Sequence, residues 1–219
     1  MVDRPASRLI LASGSASRRQ MLTAAGLAFE VAPSGVDEAI VKRDLETRPG
    51  VTPASLEFGR ETARVLARAK ALEVSARHPH ATIIGADQTL TRLLDETSPA
   101  GAGRSFDKPT SLIDARRQLI EMRGRTHVLC SAAALARDGV IIADVDAAAR
   151  LTMRTFSDAF LDDYLARVGD AVCASVGAYQ LEGPGAQLFA DISGDYFTIL
   201  GLPLLPLLDQ LRHHGVIAA

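Results

Sequence analysis

The sequence predicts an α/β (α+β) protein built on a mixed β-sheet flanked by helices. Three observations point there. The segment ATIIGADQTL (residues 81–90) opens with an unbroken apolar run, as a strand buried on both faces does. Residues 126–136 and 140–153 read as two strands around Arg137-Asp138-Gly139, which is a hairpin signal. Helical and extended patterns mix along the chain without the strict βαβ alternation that would make every strand parallel.

Element by element, residues 8–12 form a short strand and 15–25 a helix ended by Gly26. Residues 28–32 form a second strand, stopped by Pro33, and 36–50 read as polar and irregular. Thr52-Pro53 opens a long helix reaching about Arg77, with Thr52 as cap and the proline in the first turn. After the buried strand, 94–109 is a Gly/Pro/Ser-rich loop, and 111–122 is a helix broken by Gly124. The second hairpin arm alternates Ile141, Ala143 and Val145 with Asp144 and Asp146, mostly apolar-in and polar-out. Ser157 caps a helix to about Val168, and 202–213 is the last helix.

Bulk properties narrow the function. A net charge of -2 gives no global field for nucleic acid or anionic membranes, so any anion site must be built locally. The longest apolar run, ILGLPLLPLL, is short and proline-broken, and the N-terminus lacks the layout of a signal peptide. The expected location is the cytoplasm, with no membrane and no nucleic-acid partner. Two cysteines, Cys130 and Cys173, make no zinc or redox spacing.

The stretch LASGSASRRQML (residues 11–22) runs from a strand through small residues into a helix. Free N–H groups at that helix start suit an anion, and Arg18 adds a planar, charged fork suited to phosphate oxygens. The same residues also suit a tight turn with two surface arginines. No Walker loop and no G-x-G-x-x-G fingerprint occurs. Lys70 falls on the apolar side of its helix, where it needs a buried partner, a cleft or a path to solvent. Asp87 ends the apolar part of the buried strand, a frequent place for an active-site carboxylate as well as for a turn cap. Gln88 beside it adds neutral hydrogen-bonding capacity. Asp37-Glu38 and Lys108 lie in expected loops, where solvated side chains are the common case. His78, His80, His213 and His214 read as surface residues and His127 as strand packing. Ser15, His127 and Asp87 make a triad only on paper, since no G-x-S-x-G elbow supports it.

Taken in order, these pieces resemble the Maf family of nucleoside triphosphate pyrophosphatases. Its first motif, L-A-S-x-S-P-x-R-x-x-L-L, is matched by Leu11, Ala12, Ser13, Ser15, Arg18 and Leu22, with Ala16 in place of the proline and Met21 in place of the first leucine. Asp37-Glu38 matches its D-E pair, Lys70-Ala71 its helix lysine, and Gly85-Ala86-Asp87 its strand end. Asp107-Lys108-Pro109 matches G-K-P with the glycine changed, and GAYQLEGPGAQLFADISGDYFTILGLPL matches the C-terminal motifs.

The resemblance implies one domain over residues 1–219, with a long mixed sheet dividing two lobes and a cleft between them, as in Maf/ITPase-like folds. It implies hydrolysis of a nucleoside triphosphate to the monophosphate and pyrophosphate with a divalent cation, magnesium or manganese. Asp87 would be the general base, Glu38 a metal ligand together with Asp87, and Arg18, Lys70 and Lys108 would hold phosphates. Ser13 and Ser15 would line the phosphate turn. A homodimer is a family expectation. Ser17, Gln88 and Glu182 depart from the dTTP/UTP pattern and look like the branch acting on 7-methyl-GTP, and Ser175 stands where that pattern has lysine. Two other readings stand beside this one: an ITP/XTP-type pyrophosphatase, and a nucleotide-sensing regulator of septum formation without catalysis.

Overall fold

The computed structural model describes residues 8–53, 55–94 and 103–218. Its strands are β1 (Leu9–Leu11), β2 (Glu30–Val31), β3 (Thr82–Leu93), β4 (Gly103–Phe106), β5 (Thr126–Arg137), β6 (Val140–Met153) and β7 (Phe189–Ser193). They form one mixed sheet in the order β2-β1-β3-β5-β6-β7, with β4 also paired to β3. β1 runs parallel to β2 and β3, and the other pairs are antiparallel. The hairpin turn is as the sequence predicts: Asp138 and Gly139 have φ of 49° and 79°, the positive values a two-residue turn requires.

One edge of β3 positions everything that follows. β5 covers its other edge from Thr82 to Arg92. On the first edge, β1 covers Thr82–Ile84 and β4 covers Leu90–Leu93. Residues 85–89 therefore lie in a gap between two short strands, with backbone groups that no strand pairs.

The helices are α1 (Ala16–Ala24), α2 (Glu38–Glu46), α3 (Leu56–Arg77), α4 (Leu112–Met122), α5 (Asp158–Val168), α6 (Tyr196–Ile199) and α7 (Leu204–His213). Three sequence expectations need correction. Residues 36–50 are not irregular: Asp37 accepts from the N–H groups of Ala39 and Ile40 and caps α2, whose polar composition buries only Leu45. Thr52 does not cap the long helix. Ser55 does, its Oγ accepting from Phe58 N at 3.0 Å. The expected loop 94–109 contains β4, and its residues 95–102 lie outside the described residues. No described helix is long and apolar enough to cross a membrane.

α3 packs on one face of the sheet through Ala63, Ala67 and Ala71. Two apolar clusters cover the other face, one with Leu22 and Leu207 and one with Leu119 and Leu161, and Leu200 packs against both. Gly85 sets the depth at which α3 sits. A Cβ there would stand 2.1 Å from the Ala67 carbonyl oxygen and 2.6 Å from the Ala71 nitrogen. Since both atoms are backbone, Gly85→Ala must lift the helix. The expected result is a loss of about 1–3 kcal/mol or more in urea unfolding, with catalytic efficiency falling as well because Lys70 moves with α3. Unchanged unfolding would show that the contact is looser.

Candidate active site

The last rung between β1 and β3 is Ala12 N–H donating to the Ile84 carbonyl at 2.8 Å. The chain then turns through Ser13–Ser15 into α1. The next carbonyl of β3, Ala86 O, is taken by Arg18 Nη1 at 2.9 Å, so a side chain continues the ladder where β1 stops. Nη1 also donates to Ser13 Oγ at 3.1 Å, and Nε to the Gly201 carbonyl at 2.9 Å. Ser15 Oγ accepts from Arg18 N and caps α1. Arg18 is thus a brace joining three segments, with Nη2 left to meet a ligand. Burial pulls its guanidinium below the ordinary arginine value, against the pull of Asp87 and Glu38. The small residues of SGSAS leave the start of α1 open beside this brace: a Cβ at Gly14 would meet nothing within 4 Å.

Alternate residues of β3 face α3. Asp87 is on that face, buried, and accepts from Lys70 Nζ at 2.6 Å. Lys70 does not reach solvent. It is 7% exposed, and its Nζ also lies 2.6 Å from Glu38 Oε1 on α2. One ammonium is therefore shared by two carboxylates from separate elements. Burial raises the Asp87 carboxyl above its ordinary range, opposed by Lys70 and Arg18. Burial also pushes Glu38 up, but its bond to Lys70 and the charges of Lys70, Lys42 and Lys108 outweigh this and hold it below its ordinary value. Lys108 is exposed at the rim, close enough to act on Glu38. Lys42, which sequence reasoning missed, pairs with Asp107, the residue that departs from the G-K-P pattern. Its signal was its place four residues after Glu38, visible only once α2 is recognised as a helix.

Gln88 points to the opposite face. Its Nε2 lies 3.0 Å from Ser131 Oγ, from the Thr198 carbonyl and from the Ile199 carbonyl. Two carbonyls fix the amide orientation, because an oxygen in that place would face two acceptors. Oε1 is then the atom Gln88 can offer a ligand. Gln88, Ser17 and Glu182 line one pocket, with Ser175, Tyr179 and Leu200, and it opens to solvent. The structure thus brings the three suspected specificity residues around one cavity. Ser175 Oγ is spent on the Tyr179 carbonyl at 2.6 Å. The paper triad is absent: His127 Nε2 bonds Tyr179 OH at 2.7 Å, and burial pulls the imidazole down to about 3, so it is neutral strand packing.

Among the described residues no group of three or more His, Cys, Asp or Glu side chains converges as a metal cage. Asp87 and Glu38 nevertheless both meet Lys70 Nζ, each through one oxygen, so the second oxygen of each carboxylate is not engaged by that ammonium. Magnesium is commonly held by one or two carboxylates plus phosphate oxygens, so this donor pair fits an ion that arrives with a triphosphate.

These features define an α/β protein with a cleft of paired cations and carboxylates beside a shallow pocket open to solvent. The family is more specific. The model of Maf-like proteins matches residues 8–214, and the chain belongs to the Maf family. A nucleoside triphosphate pyrophosphatase of Paramagnetospirillum magneticum is 50% identical over 208 residues, covering 94% of this chain and 98% of that protein. A 7-methyl-GTP pyrophosphatase of Rhizobium johnstonii is 49% identical over 210 residues, covering 96% and 98%. Among solved structures, a nucleoside-triphosphatase / dITP/XTP pyrophosphatase of Mycobacterium abscessus is 13% identical with a TM-score of 0.38, covering 95% of this chain and 94% of that one.

Proposed function

We propose that the protein hydrolyses a nucleoside triphosphate to the monophosphate and pyrophosphate, and that 7-methyl-GTP is its preferred substrate. The observation that carries the reaction is the shared ammonium: Lys70 between Asp87 and Glu38, in the β3 gap beside the Arg18 turn. Pyrophosphatase relatives near 50% identity support it.

Asp87 accepts the proton of the attacking water, and its burial makes it a stronger base than a solvated aspartate. Incoming phosphates compete for Lys70, which loosens its hold on Asp87. Arg18 Nη2, Lys108, the Ser13 and Ser15 hydroxyls and the start of α1 receive phosphate oxygens. Asp87 and Glu38 would hold a divalent ion, which when bound supplies further positive charge against the triphosphate. The test is product analysis. The expected products are a monophosphate and pyrophosphate, with activity lost on chelation and regained with magnesium or manganese. Release of orthophosphate and a diphosphate would overturn the assignment, and nucleotide binding without turnover would favour the regulator.

The base preference rests on the pocket. Gln88 Oε1 and the Glu182 carboxylate are acceptors, and the guanine N1–H and amino group are donors. N7-methylation adds positive charge that Glu182 attracts and that an arginine in place of Ser17 would repel. Sites built on such contacts discriminate by up to roughly 10⁴. The expected result is a kcat/KM ratio for 7-methyl-GTP over UTP well above one, falling in Glu182→Gln. A preference for UTP, or an unchanged ratio in the variant, removes Glu182 from this role. A preference for ITP or XTP across a substrate panel would favour the alternative pyrophosphatase.

A further inference from the structure

We infer that Lys42 is a further phosphate-binding residue of this site, stored on Asp107 until the triphosphate arrives. The inference rests on the reading of the site above and adds a residue to it.

Three observations carry it. Lys42 lies four residues after Glu38 on α2, so the two side chains share one helix face. Glu38 Oε1 is in contact with Lys70, which places that face over the buried acid–lysine pair. Lys42 pairs with Asp107, the neighbour of Lys108 in the chain, so its ammonium lies on the side of α2 where two other candidate phosphate ligands, Lys70 and Lys108, are found. Lys42 is also the one of these three whose partner is easily exchanged. It pairs with Asp107, whose side chain is 78% exposed while that of Lys42 is 30% exposed, and an ion pair open to solvent on one side is held less firmly than a buried one. Lys70 by contrast is held by two carboxylates at 2.6 Å.

The charge balance gives the storage a purpose. The cations Arg18, Lys42, Lys70 and Lys108 are nearly balanced by Asp87, Glu38 and Asp107, with Lys42 and Lys70 paired directly to these carboxylates. A triphosphate brings a dense negative charge that an exposed carboxylate cannot match in competition for a lysine. Lys42 then passes from Asp107 to a phosphate oxygen, and Asp107 turns to water. No bond is made or broken covalently, and the gain is one more charge-assisted contact.

The experiment titrates inorganic pyrophosphate, with magnesium, into wild type, Lys42→Met, Asp107→Asn and the double variant, and measures KM for the hydrolysed nucleotide in each. Lys42→Met keeps the stem and deletes the charge. It is expected to weaken pyrophosphate binding and raise KM about tenfold, with kcat changed less and Tm held. Asp107→Asn removes the competitor, so pyrophosphate binds as tightly as to wild type or tighter. The double variant matches Lys42→Met, since Asp107 acts only through Lys42. Lys42→Met within twofold of wild type in both measurements overturns the proposal. So does an Asp107→Asn variant that weakens binding as Lys42→Met does, because the pair would then be a structural strap. Wild type that neither binds pyrophosphate nor releases it from triphosphates overturns the parent reading as well, so the two failures are told apart by wild type alone.

Discussion

Replacing Asp87 by asparagine is expected to lower kcat by roughly 100-fold or more while the chain still folds, the usual effect of removing a positioned base and so a test of the proposed role. Folding survives for reasons visible in the site. The asparagine Oδ1 can still accept from Lys70, Lys70 keeps Glu38 at 2.6 Å, and a buried carboxylate no longer has to be desolvated. The pH dependence gives an independent readout. A base must be deprotonated to work, so wild-type kcat/KM falls in acid through an apparent pKa above the ordinary 3.8, the direction in which burial moves Asp87. That acid limb disappears in Asp87→Asn. Near-normal turnover with the limb retained would place the base elsewhere.

How much of this was legible in the sequence depends on what each inference needed. The buried strand, the hairpin and the α3 face follow from periodicity, and the structure reproduces them within a few residues. α2 was missed because its residues bury so little that no apolar period appears. Its start was nonetheless written in Asp37-Glu38, a capping side chain followed by an acid in the first turn. β4 was missed because a four-residue strand with one buried side chain, Phe106, carries almost no pattern.

At the site, residue types were legible and their partners were not. The charge of Arg18 is plain in the sequence. That its Nε and Nη1 serve the Gly201 and Ala86 carbonyls follows only from where β1 ends against β3, a relation between segments far apart in the chain. Gln88 could be named as a hydrogen-bonding group, but which end of its amide faces a ligand is decided by Thr198 and Ile199, more than a hundred residues away.

Lys70→Met has the second large effect, and on stability it is the larger of the two. Lys70 is the only cation within hydrogen-bond reach of Asp87 among the described residues. Deleting its charge leaves a buried carboxylate unpaired and Glu38 without its closest partner. Breaking a buried pair from one side costs about 3–5 kcal/mol, although replacing both members by apolar groups can be neutral. The cost depends on pH with a definite sign. Burial already raises Asp87 in the folded state, and loss of Lys70 raises it further. A carboxyl whose folded pKa exceeds its unfolded value stabilises the fold below the unfolded value and loses that contribution as pH rises through the folded one. The variant should therefore trail wild type most at about pH 8 and recover part of the difference toward about pH 5. Catalytic efficiency should fall by roughly 100-fold or more at every pH, since under the proposed mechanism one loss removes both a phosphate contact and the group that orients the base. Adding Asp87→Asn to Lys70→Met tests the cause. If the unpaired carboxylate is responsible, the double variant is more stable than Lys70→Met alone at pH 8, and the two effects are far from additive. A Lys70→Met protein as stable as wild type across that range, with kcat/KM intact, would mean that the ammonium makes no net contribution between its two carboxylates.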